Sequence, residues 1–281
     1  MKHVLLIANI DGHSPQLLRY VARLCKDLDL RLHILQIETK SELVLISSPY
    51  YISKSGLVFN SEVQDKKKIL SNYVSEHTKD LIDSTWISNQ LVQGNIQESL
   101  NAFINKEKID FVIASQAVFR NTAVGQNNVF TQLLLNIADI PTLVVPNDHS
   151  YNPFRSIGYL TTLKGNDYDN MVWVRENFPK SKLNVLHFSF TEPSAIEQKK
   201  VNYLKSELGA NSFTYENRAI DIEDFIAKEV KTADNEFDCL MVKTKKRNFW
   251  QRLIDPSTAL NLILRIDCPT LVFKYKEEEL K

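Results

Sequence analysis

The segment Asp139-Ile140-Pro141-Thr142-Leu143-Val144 returns 128 residues later as Asp267-Cys268-Pro269-Thr270-Leu271-Val272, with only the second position changed. The same offset carries Asp110, before FVIAS, onto Asp238, before CLMVK. Earlier segments pair at an offset of 151, His33-Ile34-Leu35-Gln36-Ile37 against Asn184-Val185-Leu186-His187-Phe188. A chain that repeats itself this way folds as two copies of one unit, the first carrying an insertion placed at about 41–64. The polar stretch from Asn147 to Pro153 divides them, giving domains 1–147 and 153–281.

The unit is readable from its periodicities. Val4 to Ala8 is a short continuous apolar run, as expected of a strand buried on both faces of a parallel sheet. In the turn that follows, Ser14 suits a helix cap and Pro15 a first helical position. Leu17, Leu18, Val21, Leu24, Cys25 and Leu28 then recur on one helical face. Leu30 to Ile37 reads as a strand, Lys66 to Ile82 as a helix, Trp86 to Val92 as a strand and Ile96 to Ile104 as a helix. Phe111 to Ala114 is a fourth strand, Val129 to Ile137 a helix and Thr142 to Val145 a fifth strand. Strands alternating with helices predict a parallel α/β sheet with right-handed crossovers.

Composition narrows the chemistry. Only 7 of 281 residues are glycine, and no two lie within six positions of each other. Neither a Walker loop nor a G-x-G-x-x-G fingerprint can be drawn from such a set. Thirty-four basic and thirty-four acidic side chains cancel, so the bulk charge of a nucleic-acid-binding domain is missing. The apolar runs are too short to span a bilayer, and the N-terminus has no signal-peptide pattern. Cys25, Cys239 and Cys268 are odd in number and scattered, which suits free thiols in a reducing, cytoplasmic setting.

Four segments together resemble the universal stress protein family in its tandem two-domain form. They are Gly94-Asn95-Ile96-Gln97-Glu98 before a helix, Asp110 before strand four, and the closing I-P-T-L-V-V and C-P-T-L-V-F strands. They are similar to the family's G-D-P-x-x-x-I, A-D-L-I-V-x-G and C-P-V-L-V-V segments, and the likeness covers nearly the whole chain. The resemblance implies an adenine nucleotide alpha hydrolase-like fold: two doubly wound domains, each a five-stranded parallel sheet of order 3-2-1-4-5 with helices on both faces. It also implies pairing of the domains through their last strands, here 141–146 against 269–274 within one chain, with a homodimer as a further form of self-association.

Family members that bind ATP carry G-x-x-G-x9-G-S/T after strand four. In this register the glycine positions fall on Ser115, Val118 and Asn128, followed by Val129, and on Lys243, Lys246 and Pro256, followed by Ser257. All six are replaced. A Cβ blocks close backbone approach to a phosphate, and proline removes an amide donor. The family's nucleotide-contacting aspartate after strand one corresponds to Asn9 or Asp11 in the first half and to Thr162 in the second.

Two functional readings follow from the resemblance. The first is a non-catalytic stress-response protein acting through protein partners, with degenerate ATP-binding loops, no cofactor and no contact with nucleic acid or membrane. The alternative binds ATP, another adenine nucleotide or an anion, with weak ATPase activity, through Lys243, Lys246, Ser257, Thr258 and Asp11. That alternative draws on the basic run Lys243, Lys245, Lys246, Arg247, on Phe249 and Trp250 as a stacking pair, and on the helix start at Asp255-Pro256-Ser257-Thr258. The apolar insertion suggests a third use, a carrier cleft beneath a covering loop. Among the six histidines no pair has metal-ligand spacing, and no nucleophile sits in a catalytic setting.

Overall fold

The computed structural model describes residues 1–8, 15–38, 52–116, 140–146, 149–163, 167–220, 224–225, 236–244 and 266–274. The first half contributes strands β1 (Lys2–Ala8), β2 (Leu30–Glu38), β3 (Ile87–Gln93), β4 (Phe111–Ser115) and β5 (Thr142–Val145), with helices α1 (Pro15–Asp27), α2 (Ile52–Thr78) and α3 (Ile96–Glu107). The second contributes β6 (Ser156–Thr161), β7 (Lys182–Phe188), β8 (Phe213–Arg218), β9 (Cys239–Thr244) and β10 (Thr270–Lys274), with α4 (Asp167–Asn177) and α5 (Ala195–Leu208).

All ten strands join one sheet in the order β3-β2-β1-β4-β5-β10-β9-β6-β7-β8. Each half is parallel throughout and has the expected 3-2-1-4-5 order. The halves meet where β5 runs antiparallel to β10, with Leu143 opposite Leu271 at the centre of the seam. Both leucines are fully buried. An apolar edge such as Thr142-Leu143-Val144-Val145 would template aggregation if left open. Here each half covers the other's edge.

Strand alternation assigns the core. Val4 and Leu6 of β1 face a cluster that runs without a break through both halves and includes Tyr159, Met241 and Leu271. Leu5 and Ile7 face the other side, against Leu100, Phe103 and Ile104 of α3. A separate cluster around Phe225, Phe237 and Val272 covers that side of the second half and reaches Ala114 and Val144 of the first. The halves therefore share one core on one face of the sheet. Equivalent aromatics stitch that shared face. Tyr20 of α1 packs edge-on against Tyr151 in the linker, and Trp173 of α4 packs edge-on against Phe111 of β4 and Phe273 of β10.

The repeated residues have repeated structural duties. Asp110 accepts a hydrogen bond from the His3 amide at 2.7 Å, while its own amide donates to the His3 carbonyl. Asp238 accepts from the Arg155 and Ser156 amides at 2.8 and 2.9 Å, and its amide donates to Ser156. The two prolines also match, since Val112 donates to the Pro141 carbonyl and Leu240 to that of Pro269. Gly158 lies where β6 passes close beneath the Phe237 ring: an added Cβ would sit 2.9 Å from Phe237 Cγ.

Helix α2 departs from the expected bounds. It starts at Ile52 rather than Lys66, so residues 52–64 of the insertion form the front of a helix of 27 residues. It ends at Thr78 rather than Ile82, where Leu81 and Ile82 both donate to the Thr78 carbonyl and close the chain into a turn. Asp83 then caps the short 3-10 turn Ser84–Trp86. Residues 41–51 of the insertion and the helix expected over 129–137 lie outside the described residues.

Candidate functional site

In an open α/β sheet ligands bind beyond the carboxyl ends of the strands, near the point where strand order reverses. In the second half that point lies between β6 and β9, where four polar side chains converge in the interior. Tyr159 and Thr161 stand two residues apart on β6, so they share a face. Asp167 is the first residue of α4, and Lys243 projects from the end of β9. The Asp167 carboxylate is wholly buried, and the Lys243 side chain is 8% exposed.

One carboxylate oxygen gathers the cluster. Asp167 Oδ1 accepts from Lys243 Nζ at 2.5 Å, from Thr161 Oγ1 at 2.8 Å and from the Tyr159 hydroxyl. Thr161 Oγ1 in turn accepts from the amide of Leu163, which holds a left-handed conformation at φ 54°. The ammonium also lies 5.9 Å from the centre of the Tyr159 ring. Burial, and after it the Asp167 charge, pushes the Tyr159 hydroxyl well above the ordinary tyrosine range, so it remains a donor. A carboxylate in a first helical turn is further favoured by the helix dipole. The second oxygen, Oδ2, has no hydrogen-bond partner among the described residues.

Chemically this is a closed lock. The Lys243 charge is paired with the buried Asp167 carboxylate. Among the described residues, the first half carries different side chains at the matching strand positions. Strand registers place Leu6 opposite Ile113 as Tyr159 lies opposite Met241, and Ala8 opposite Gln36 as Thr161 lies opposite His187. Leu6, Ala8 and Ser115 thus stand where the second half has Tyr159, Thr161 and Lys243.

Other expected site residues fall in different places. Lys246, Ser257, Thr258 and Asp11 lie outside the described residues, as do Asn9, Val118, Asn128 and Pro256. Thr162 is exposed beside the lock. Ser115 is buried at the end of β4. Its neighbour Gln116 crosses the seam, with its amide donating to Val145 and its side chain to the Ile266 carbonyl at 2.8 Å.

Reactive groups are muted. All three cysteines are buried and free, and desolvation raises their thiols, that of Cys268 to about 12. Among the described residues no group of three or more His, Cys, Asp or Glu could hold a metal, and no helix is long and apolar enough to cross a membrane.

Sequence reasoning singled out Lys243 but missed Asp167, Tyr159 and Thr161. Two polar residues on one face of a buried strand, Tyr159 and Thr161, were the available signal. The partnership with a lysine 76 positions away was not readable from order alone.

No family model matches the chain, and no curated protein matches it at a significant level. Solved structures do. A universal stress protein from Archaeoglobus fulgidus DSM 4304 superposes with a TM-score of 0.68 at 15% identity, covering 99% of this chain and 97% of that one. A functionally unknown protein from Pseudomonas aeruginosa PAO1 superposes with a TM-score of 0.55 at 12% identity, covering 98% and 93%. At these identities the likeness establishes architecture: the chain has the fold of the universal stress proteins, with both halves in one polypeptide.

Proposed function

We propose that this chain is a tandem universal stress protein that no longer binds nucleotide and acts in the stress response through protein partners rather than by catalysis. The observation that carries the reading is the Asp167–Lys243 lock at the carboxyl end of the second sheet. Phosphates at such a position need open backbone amides and unpaired cations. A triphosphate arriving beside β9 would meet a buried carboxylate and a lysine that this carboxylate already neutralises. The replacement of all six loop glycines, at 115, 118, 128, 243, 246 and 256, supports the same conclusion from the sequence. The β5–β10 seam supports a chain that meets within itself the pairing other members make between subunits.

The test uses the full chain. Mass spectrometry of the denatured protein is expected to find no ligand carried through purification. Calorimetric titration with ATP, ADP, AMP and cyclic nucleotides is expected to give no heat up to millimolar concentration. Saturable binding of any of these would overturn the reading in favour of an anion site at Lys243, Lys246, Ser257 and Thr258. ATP hydrolysis above the rate of a Lys243→Met variant would overturn the non-catalytic part.

A further inference from the structure

At the amino ends of the first three strands of the first half, three side chains form a cross-strand ladder. Ser88 Oγ on β3 lies 2.8 Å from His33 Nδ1 on β2, and His33 Nε2 lies 3.1 Å from His3 Nδ1 on β1. The two imidazoles are stacked at 27° with centroids 5.0 Å apart, and Phe103 of α3 meets His33 edge-on. His33 is almost completely buried. The second half repeats the ladder with other chemistry. Thr214 on β8 donates to Asn184 Oδ1 on β7 at 2.8 Å, and Asn184 Nδ2 donates to Ser156 on β6 at 2.9 Å. Strand registers make these equivalent positions: His33 faces Ser88 as Asn184 faces Thr214. One ladder can titrate and the other cannot.

We propose that the His3–His33–Ser88 ladder makes the first half acid-responsive, parting at low pH and loosening β1, β2 and the edge strand β3 while the second half's ladder holds. The donor count gives the mechanism. With both rings neutral, each ring has one N–H and one lone pair, so the ladder closes in either direction. One added proton still leaves an acceptor between the rings. A second sets N–H against N–H across 3.1 Å, between two like charges, and no arrangement of tautomers restores the bond.

The surroundings bear on this balance. Glu107 of α3 favours protonation of His33, and Arg31 on its own strand opposes it; the carboxylate near His3, Asp110, is engaged with the His3 amide. Burial acts first and His3 second, and the net direction for His33 is below the ordinary histidine value. A histidine depressed in the folded state binds fewer protons there than in the unfolded chain. Its contribution to stability is therefore intact above about pH 6.5 and is lost as pH falls from there through the folded value.

The experiment compares the full-length protein with a variant carrying His3→Ser, His33→Asn and Ser88→Thr, which installs the second half's own ladder. Hydrogen exchange is followed at pH 7.5 and 5.5, corrected for the intrinsic pH dependence of exchange. In the parent chain, peptides covering 30–38 and 87–93 should exchange faster at pH 5.5, by up to about tenfold, the most that one histidine depressed in the folded state contributes over that interval. Peptides covering 182–188 and 213–218 should change little, and the variant should respond little in either half. His13, His77, His149 and His187 remain in both proteins, so the difference isolates the ladder. An equal response in both halves, or an undiminished response in a folded variant, overturns the proposal. Imidazole nitrogen NMR of the parent chain decides the case even if the variant fails to fold. The His33 ring should take its proton below the ordinary histidine value, and the His3 Nδ1 signal should change at the same step because the two nitrogens share a hydrogen bond. A His33 step at the ordinary value with no matching change at His3 overturns it.

Discussion

Lys243 shows how one substitution changes what an end of a sheet can do. A residue without a Cβ at this point would leave the end of β9 open; a lysine fills it and brings a charge that must be satisfied. Asp167 satisfies it, and Tyr159 and Thr161 add two further bonds to the same carboxylate oxygen. Removing one member of a buried pair leaves the other charge stranded, at a cost of about 3–5 kcal/mol. Lys243→Met and Asp167→Asn should each lower the free energy of unfolding, read from urea titrations, by an amount in that range. The double variant should cost clearly less than the two together, because neither charge is then left alone. Simple additivity in this cycle would show that the two residues act independently.

At the scale of the element, the aspartate before the fourth strand ties the start of that strand to the start of the first. Asp238 holds two amides of the entry to β6, and Asp110 holds one at the entry to β1. These bonds are exposed or half-buried, so each contributes about 0.5–1.5 kcal/mol net. Asp238→Ala should therefore destabilise the chain more than Asp110→Ala, as read by denaturant unfolding, and Asp238→Asn, which keeps one side-chain oxygen, should recover part of the loss. The repeat at offset 128 exposed these aspartates in the sequence, and periodicity located the strands because buried parallel strands are short apolar runs. What order alone could not deliver were pairings across the fold. The lock joins residues 76 positions apart, and the histidine ladder joins residues with no local spacing rule. Helix α2 was read short because its leading segment in the insertion lacks a clear amphipathic stripe, so pattern placed its start near the first charged cluster at Lys66.

For the whole molecule, the decisive feature is the shared core. One face of the sheet carries a single apolar cluster through both halves, and the seam centres on Leu143 and Leu271, both fully buried. The halves should therefore unfold together in one calorimetric transition. Leu271→Glu buries an unpaired carboxylate at that centre, which costs several kcal/mol. The variant should split the transition in two or lose the folded state altogether. A single unchanged transition in that variant would mean that the seam contributes little to cohesion.

Because β5 and β10 run in opposite directions while each half is parallel within itself, the carboxyl ends of the two sets of strands point away from each other. The protein has two poles. With nine steps of about 4.8 Å, the outer strands β3 and β8 stand roughly 40 Å apart along the sheet. A partner that reads the carboxyl ends of one half would therefore approach from the side opposite to one that reads the other half. Among the described residues the poles are also chemically unlike: the second carries the buried Lys243–Asp167 pair, whereas Leu6, Ala8 and Ser115 stand at the matching positions of the first.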